Sequence, residues 1–168
     1  MLVLAVGGLS AEQRCFRAAA DRWSAVDCIE HVTVVENNVI KTIERTLAAP
    51  PPSEKPDTNG KDQVVLEKVP GREARVKGPD AVMPKGRWPD YAELLAQFES
   101  TRDRSLHFAS ATQADLRAFA FPHPILGPLD CYQWLLFLAA HCERHVRQIE
   151  EVKGDPAFPG RAVGSAIA

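Results

Sequence analysis

The chain has 168 residues, 45% hydrophobic and 25% charged, with a net charge of -2. This is the composition of a soluble globular protein of single-domain length, and it excludes a disordered or fibrous chain. Twenty basic and twenty-two acidic side chains are mixed without a long block of either sign, so no nucleic-acid partner is expected; no apolar run nears the roughly 20 residues of a membrane span.

The opening MLVLAVGGLS is apolar, but it has no basic residue ahead of the run and no clear small-x-small cleavage site, so it does not read as a secretory signal. Cys15, Cys28, Cys131 and Cys142 form no CxxC pair and fall inside helical patterns. Such cysteines suit a reducing cytoplasm, where they pack as small apolar residues, and a cytoplasmic location is expected.

Residues 24–47 read as an amphipathic helix, with Ser24 as N-cap and Asp27 at the capping-box position. Its apolar stripe is Cys28, Val32, Val35, Val39 and Ile43, spaced by three and four. Residues 48–87 form a long Pro-rich connection, within which QVVLEKVP and REARVKGP alternate enough to suggest a short hairpin. A connection of this length in a small domain often drapes over a binding cavity.

Helix resumes at Pro89-Asp90 on a stripe of Tyr91, Leu94, Leu95, Phe98, Arg102, Ser105 and Ala109; its polar second half is either solvated or faces a polar cavity. A helical turn capped by Thr112 is expected over residues 112–119, followed by a Pro-rich break, FPHPILGP. The last helix covers about 129–152 on Cys131, Trp134, Leu138, Cys142, Ile149 and Val152, and Gly154-Asp155-Pro156 ends it. Residues 160–168 read as a loose tail. The class is all-α, a helical bundle in one domain over 1–168.

The last helix carries His141 and His145, separated by one turn and within roughly 40° of each other at 100° per residue. That spacing allows two imidazoles to share one divalent ion. His31 adds a third inward imidazole from another helix. Three unpaired core imidazoles are costly, and one ion would satisfy all three; the alternative is an ordinary set of buried core histidines. His107 falls opposite its helix's stripe and is expected in solvent, and His123, in the Pro-rich turn just before the last helix, is expected at the surface or as a cap, with an approach to the site as the lesser alternative. Asp27 and Gln148 border the histidine side of their helices as candidate partners for imidazole N–H groups, and Trp134, two turns before His141, is a candidate cavity wall, as is the 48–87 connection. Glu30, Glu36, Glu150 and Glu151 read as outward. In HCERH the glutamate does not directly follow the first histidine, so Glu143 is misplaced for HExxH protease chemistry, and no GxSxG, P-loop or GxGxxG element is present.

LSAEQ at 9–13, Trp23-Ser24 with His31 eight residues after the tryptophan, PKGRWPDYAELL at 84–95 and GPLDCYQWLLFLAAHCERHVRQIEE at 127–151 together resemble the DinB-like family, including its bacillithiol transferase-like and mycothiol-dependent isomerase branches. The resemblance implies an up-up-down-down four-helix bundle holding one divalent ion on His31, His141 and His145, with other coordination positions open. Zinc, nickel or iron suits such imidazole ligands. It also implies a small-molecule substrate, with the ion activating a low-molecular-weight thiol for attack on an electrophile. Two alternatives stand beside this: a hydrolase in which the ion activates water, and a non-catalytic metal-binding stress-response bundle in a bacterial cell. Relatives carry a full helix before the LSAEQ-like segment, whereas only MLVLAVGG precedes it here. The first helix is thus expected to be truncated, with either a start upstream of Met1 or a second copy, in a homodimer, over the exposed seam.

Overall fold

The computed structural model describes residues 1–50, 52–54, 57–73 and 78–160. Two short helices open the chain, α1 (Leu2–Val6) and α2 (Ala11–Cys15). Ser10 starts α2 with a reciprocal cap: its hydroxyl accepts from the Gln13 amide while its own amide donates to the Gln13 side chain. Ser24 and Asp27 make the same arrangement at the start of α3 (Ala25–Leu47), which satisfies two otherwise orphaned amides and fixes where this helix begins. All five residues of the expected α3 stripe are buried.

α5 (Tyr91–Ala111) starts on Asp90, whose side chain accepts from the Glu93 amide; α6 (Cys131–Lys153) starts on Asp130 and Gln133, again as a capping box. α3 packs against both α5 and α6. Glu36 and Glu44 of α3 pair with Arg102 and Arg104 of α5, so these two helices run in the same direction. The early part of α3 shares a core with the late part of α6, Cys28, Ile29 and Val32 meeting Cys142 and Ile149. The late part of α3 meets the early part of α6, Val39, Ile40 and Ile43 joining Trp134, Phe137 and Leu138. α6 therefore runs against α3. A parallel pair such as α3 and α5 needs a long crossover, and the Pro-rich connection is that crossover; the expected up-up-down-down order, which would oppose these two helices, is therefore corrected. α1 lies along α6, burying Leu2 and Val6.

Several local expectations differ from the structure. The QVVLEKVP segment is helical, within α4 (Lys61–Lys68), and packs on α6 through Val65, with Val64 and Leu66 left exposed. Alternation of Val and Leu with polar residues is ambiguous over so short a run, and contact with α6 decides for helix. REARVKGP lies partly outside the described residues, at 74–77, as does the tail at 161–168. Residues 112–119 contain turns in place of a helix, and Thr112 caps the end of α5. The Pro-rich break is a hairpin, β1 (Ala120–His123) with β2 (Gly127–Asp130), antiparallel with Phe121 opposite Leu129. Gly127 sits at φ 70, the left-handed conformation that closes this turn at little cost. Cys28, Cys131 and Cys142 are buried, but Cys15 is exposed at the end of α2.

The largest correction concerns Glu30 and Glu36, which are 2% and 1% exposed, not outward. α3 is covered by α2, α5, α6 and a 3-10 turn at Asp80–Val82, so even its polar flanks are enclosed. Glu30 accepts from the amides of Lys85 (2.8 Å), Gly86 (2.9 Å) and Arg87 (3.3 Å) and pairs with the Arg87 guanidinium. Glu36 pairs with Arg102 at 2.8 Å, which explains the polar second half of the α5 stripe. Glu150 and Glu151 are exposed as expected.

Candidate metal centre

His31 comes from α3 and His141 and His145 from successive turns of α6. Antiparallel packing of these helices brings the three rings together: Nε2 of His141 stands 3.2 Å from Nε2 of both His31 and His145. All three candidate ligand atoms lie within 4.8 Å of one another. His31 and His145 are buried, and His141 keeps partial access.

The protonation states follow from the surroundings. Burial holds all three imidazoles below their ordinary pKa, His141 and His145 well below. For His141 the neighbouring His31, Arg144 and His123 add to the effect; for His145, His141, His31, Arg144 and Arg72 do so. For His31 the bond to Val82 opposes burial and the charge of Arg87 reinforces it. His31 Nδ1 lies 2.8 Å from the Val82 carbonyl, which can only accept, so Nδ1 carries the hydrogen and Nε2 a lone pair.

With neutral rings, one ordinary hydrogen bond can serve only one of the two close Nε2 contacts, leaving the other with no attraction. Among the described residues the buried Nδ1 of His145 has no hydrogen-bond partner. A cation facing three lone pairs resolves the crowding. Nitrogens about 2.1 Å from one ion at tetrahedral angles stand roughly 3.4 Å apart, close to the 3.2 Å from His141 to each of the other two. The donor set fits a divalent ion.

Aromatic rings hold the imidazoles in place. Trp23 stacks on His145 (centroids 5.8 Å apart, 18° between planes) and tilts against His31 at 4.8 Å; Phe137 stacks on His141 at 5.1 Å. The carbonyl orienting His31 belongs to the 3-10 turn, and Glu30 and Arg87 fasten that turn: Arg87 also donates to the carbonyls of Met83 (2.8 Å) and Ala81 (2.9 Å). Sequence reading missed Glu30; the signal lay in its place beside His31 together with Gly86 and Arg87, but nothing in a helical period joins them.

The cluster opens on a cavity of about 770 Å³, whose wall includes Trp134, Gln148 and, from the long connection, Lys68, Arg72, Val82 and Met83. Trp134 also donates from Nε1 to the Phe121 carbonyl (3.2 Å), pinning the hairpin to α6. Asp27 does not meet the imidazoles: one carboxylate oxygen accepts from the Ser24 amide and hydroxyl, and the other from Arg17 at 2.8 Å. The cap consumes it. His123 is half-buried and takes both the capping role and the approach to the site that its position left open. It lines the cavity, packs on Trp134 and Phe137, and accepts at Nδ1 from the amides of Ile125 (3.2 Å) and Leu126 (3.1 Å); burial pushes its pKa down to about 4. His107 is exposed, and Glu143 pairs with Arg147 away from the site.

A helical bundle that aims three imidazoles from two antiparallel helices into one cavity defines a class of helical proteins able to hold a metal ion. The chain belongs to the DinB superfamily, whose family model matches residues 1–149. It is also similar to the uncharacterized protein YuaE of Bacillus subtilis (strain 168), 23% identical over 147 residues that cover 87% of this chain and 86% of YuaE. No solved structure gives a significant match. No helix among the described residues is long and apolar enough to cross a membrane.

Proposed function

We propose that the protein is a divalent-metal-dependent enzyme that transfers a low-molecular-weight thiol to an electrophile, with His31, His141 and His145 as the metal ligands. The observation that carries this reading is the convergence of three Nε2 atoms beside an accessible cavity, since three protein ligands with a free side suit a catalytic rather than a closed structural site. Zinc, nickel or iron is compatible with imidazole donors. Bound there, such an ion supplies Lewis acidity that lowers the pKa of a thiol offered to it.

The chain's own residues do the rest. Trp23 and Phe137 fix the ring planes, Val82 fixes the His31 tautomer, and the apolar wall shields the reacting sulfur from water. The thiol proton leaves to solvent, the sulfur bonds to the electrophilic carbon, and the leaving group departs with the bonding pair. Among the described residues lining the cavity the one carboxylate is Asp21, which is exposed. A thiol acidified by the ion needs no protein base; a hydrolase in which the ion acidifies water would use the same three ligands, and the conjugation assay separates the two.

The test is conjugation of cysteine to chlorodinitrobenzene, followed by absorbance, with zinc-, nickel- or iron-loaded protein against chelated protein. A rate dependent on the ion, and lost in His141→Ala, is expected; equal rates in loaded and chelated protein would contradict metal catalysis.

A further inference from the structure

The cavity is chemically two-sided. Toward the early part of α6 its wall is apolar, built from Val35 and Val39 of α3 and Trp134 and Phe137 of α6. Cationic groups gather where the later part of α6 meets the long connection: Arg72 and Arg144, with Arg22 and Lys68. Arg144 immediately precedes His145 in the chain. Arg72 is held from behind by Glu151, through Nε (3.0 Å) and Nη2 (2.9 Å), a forked pair that orients the guanidinium and leaves the donors of Nη1 for another acceptor.

We propose that the cavity takes a small amphipathic carboxylate, its acid group held by Arg72 and Arg144 beside His145 and its apolar chain against Val39, Trp134 and Phe137. This deepens the proposed function, because it assigns a chemical class to one reactant of the same site, but the arginine contacts do not depend on the ion.

Three observations support it. The volume of about 770 Å³ falls in the roughly 300–1,000 Å³ range of small-molecule sites, which characteristically join an apolar wall to a few placed polar groups. Arg144 is half-buried and lines the same stretch of wall as Arg72. Two neighbouring guanidiniums of this kind are stabilised by an anion placed between them. Finally, among the described residues the wall carries four cations and a single carboxylate, the exposed Asp21, so a second anion meets little opposition.

The experiment is isothermal titration at low salt with octanoate, octan-1-ol, octylamine and octyl phosphate, on zinc-loaded and on chelated protein. Wild type is compared with Arg72→Gln, Arg144→Gln and Arg22→Gln; Arg22 is exposed, so that variant keeps its fold even if another does not. Octanoate is expected to bind about tenfold or more tighter than the alcohol and the amine. Arg72→Gln and Arg144→Gln are each expected to lose about fivefold or more for octanoate alone, and Arg22→Gln to show a smaller loss that salt abolishes. Equal binding of octanoate and octanol would overturn the inference, as would octyl phosphate binding about tenfold tighter than octanoate. Octanoate binding that vanishes on chelation and is untouched by all three variants would show that the ion alone holds the acid; this overturns the inference and leaves the metal site standing. An arginine-dependent preference that persists in protein unable to bind metal would uphold it while the proposed function fails.

Discussion

Glu30→Gln is the most informative single perturbation of the scaffold around the site. The carboxylate is 2% exposed and accepts from three consecutive amides, Lys85 to Arg87, besides pairing with the Arg87 side chain. The amide isostere keeps the shape but turns one acceptor into a donor. At least one backbone amide then loses its bond, and Arg87, at 27% side-chain exposure, loses its counter-charge. Hydrogen bonds to charged groups contribute about 1.5–3 kcal/mol each, and removing one partner of a buried ion pair costs about 3–5 kcal/mol, so a loss of about 3–5 kcal/mol is expected. The same change frees the segment whose Val82 carbonyl orients His31, and losing such an outer hydrogen bond typically costs about 10–100-fold in metal affinity. Urea denaturation followed by circular dichroism measures the first effect and competitive zinc titration against a chelating dye the second, with His107→Gln as an exposed control. A Glu30→Gln protein within about 1 kcal/mol of wild type and with unchanged zinc affinity would refute the anchoring argument.

Other outcomes follow from buried polar groups. His123 has a folded-state pKa of about 4, below its unfolded value, so the unfolded chain takes up the proton first. Its contribution is therefore fully present above about pH 6.5 and is lost as pH falls toward 4, because a protonated Nδ1 can no longer accept from Ile125 and Leu126. Urea midpoints measured between pH 7 and pH 4 should fall less steeply in His123→Gln than in wild type; identical slopes would contradict this. Arg102→Met should destabilise the bundle by about 3–5 kcal/mol by stranding Glu36, whose carboxyl is pushed up by burial and pulled back by Arg102 and Ser105, and Glu36→Leu in the same chain should restore most of that loss. Failure of the double variant to recover stability would show that the pair is not the source of the loss. Replacing Trp23 by Leu should weaken zinc binding about tenfold with little change in the helical spectrum, since the ring stacks on His145 while the Ser24–Asp27 cap that starts α3 is left in place; unchanged affinity would contradict a positioning role.

The long helices and the histidine cluster were legible because both rest on local rules. Ser24 with Asp27 marks a helix start by side-chain chemistry within three residues, and the period of the apolar stripes turns His31, His141 and His145 inward. The rest depends on contacts remote in sequence. Glu30 and Glu36 read as solvated because their partners, Arg87 and Arg102, lie more than 50 residues away. The hairpin at Ala120–His123 was masked by its prolines: Pro122 faces Pro128 in a sheet of only two strands, where every position is an edge and a missing amide is tolerated. His123 reached the cavity wall through that hairpin, pinned by Trp134, so its place could not be read from a Pro-rich turn. Asp27 illustrates the reverse case, a residue given two roles by sequence, for which the cap took the carboxylate.

Whether His31, His141 and His145 hold one divalent ion is decided by elemental analysis of the purified protein beside His145→Ala, with circular dichroism to show that both are folded. One divalent ion per chain is expected in the wild type, and its loss in the variant. A folded wild type without metal, or a variant that retains the same metal content, would contradict this.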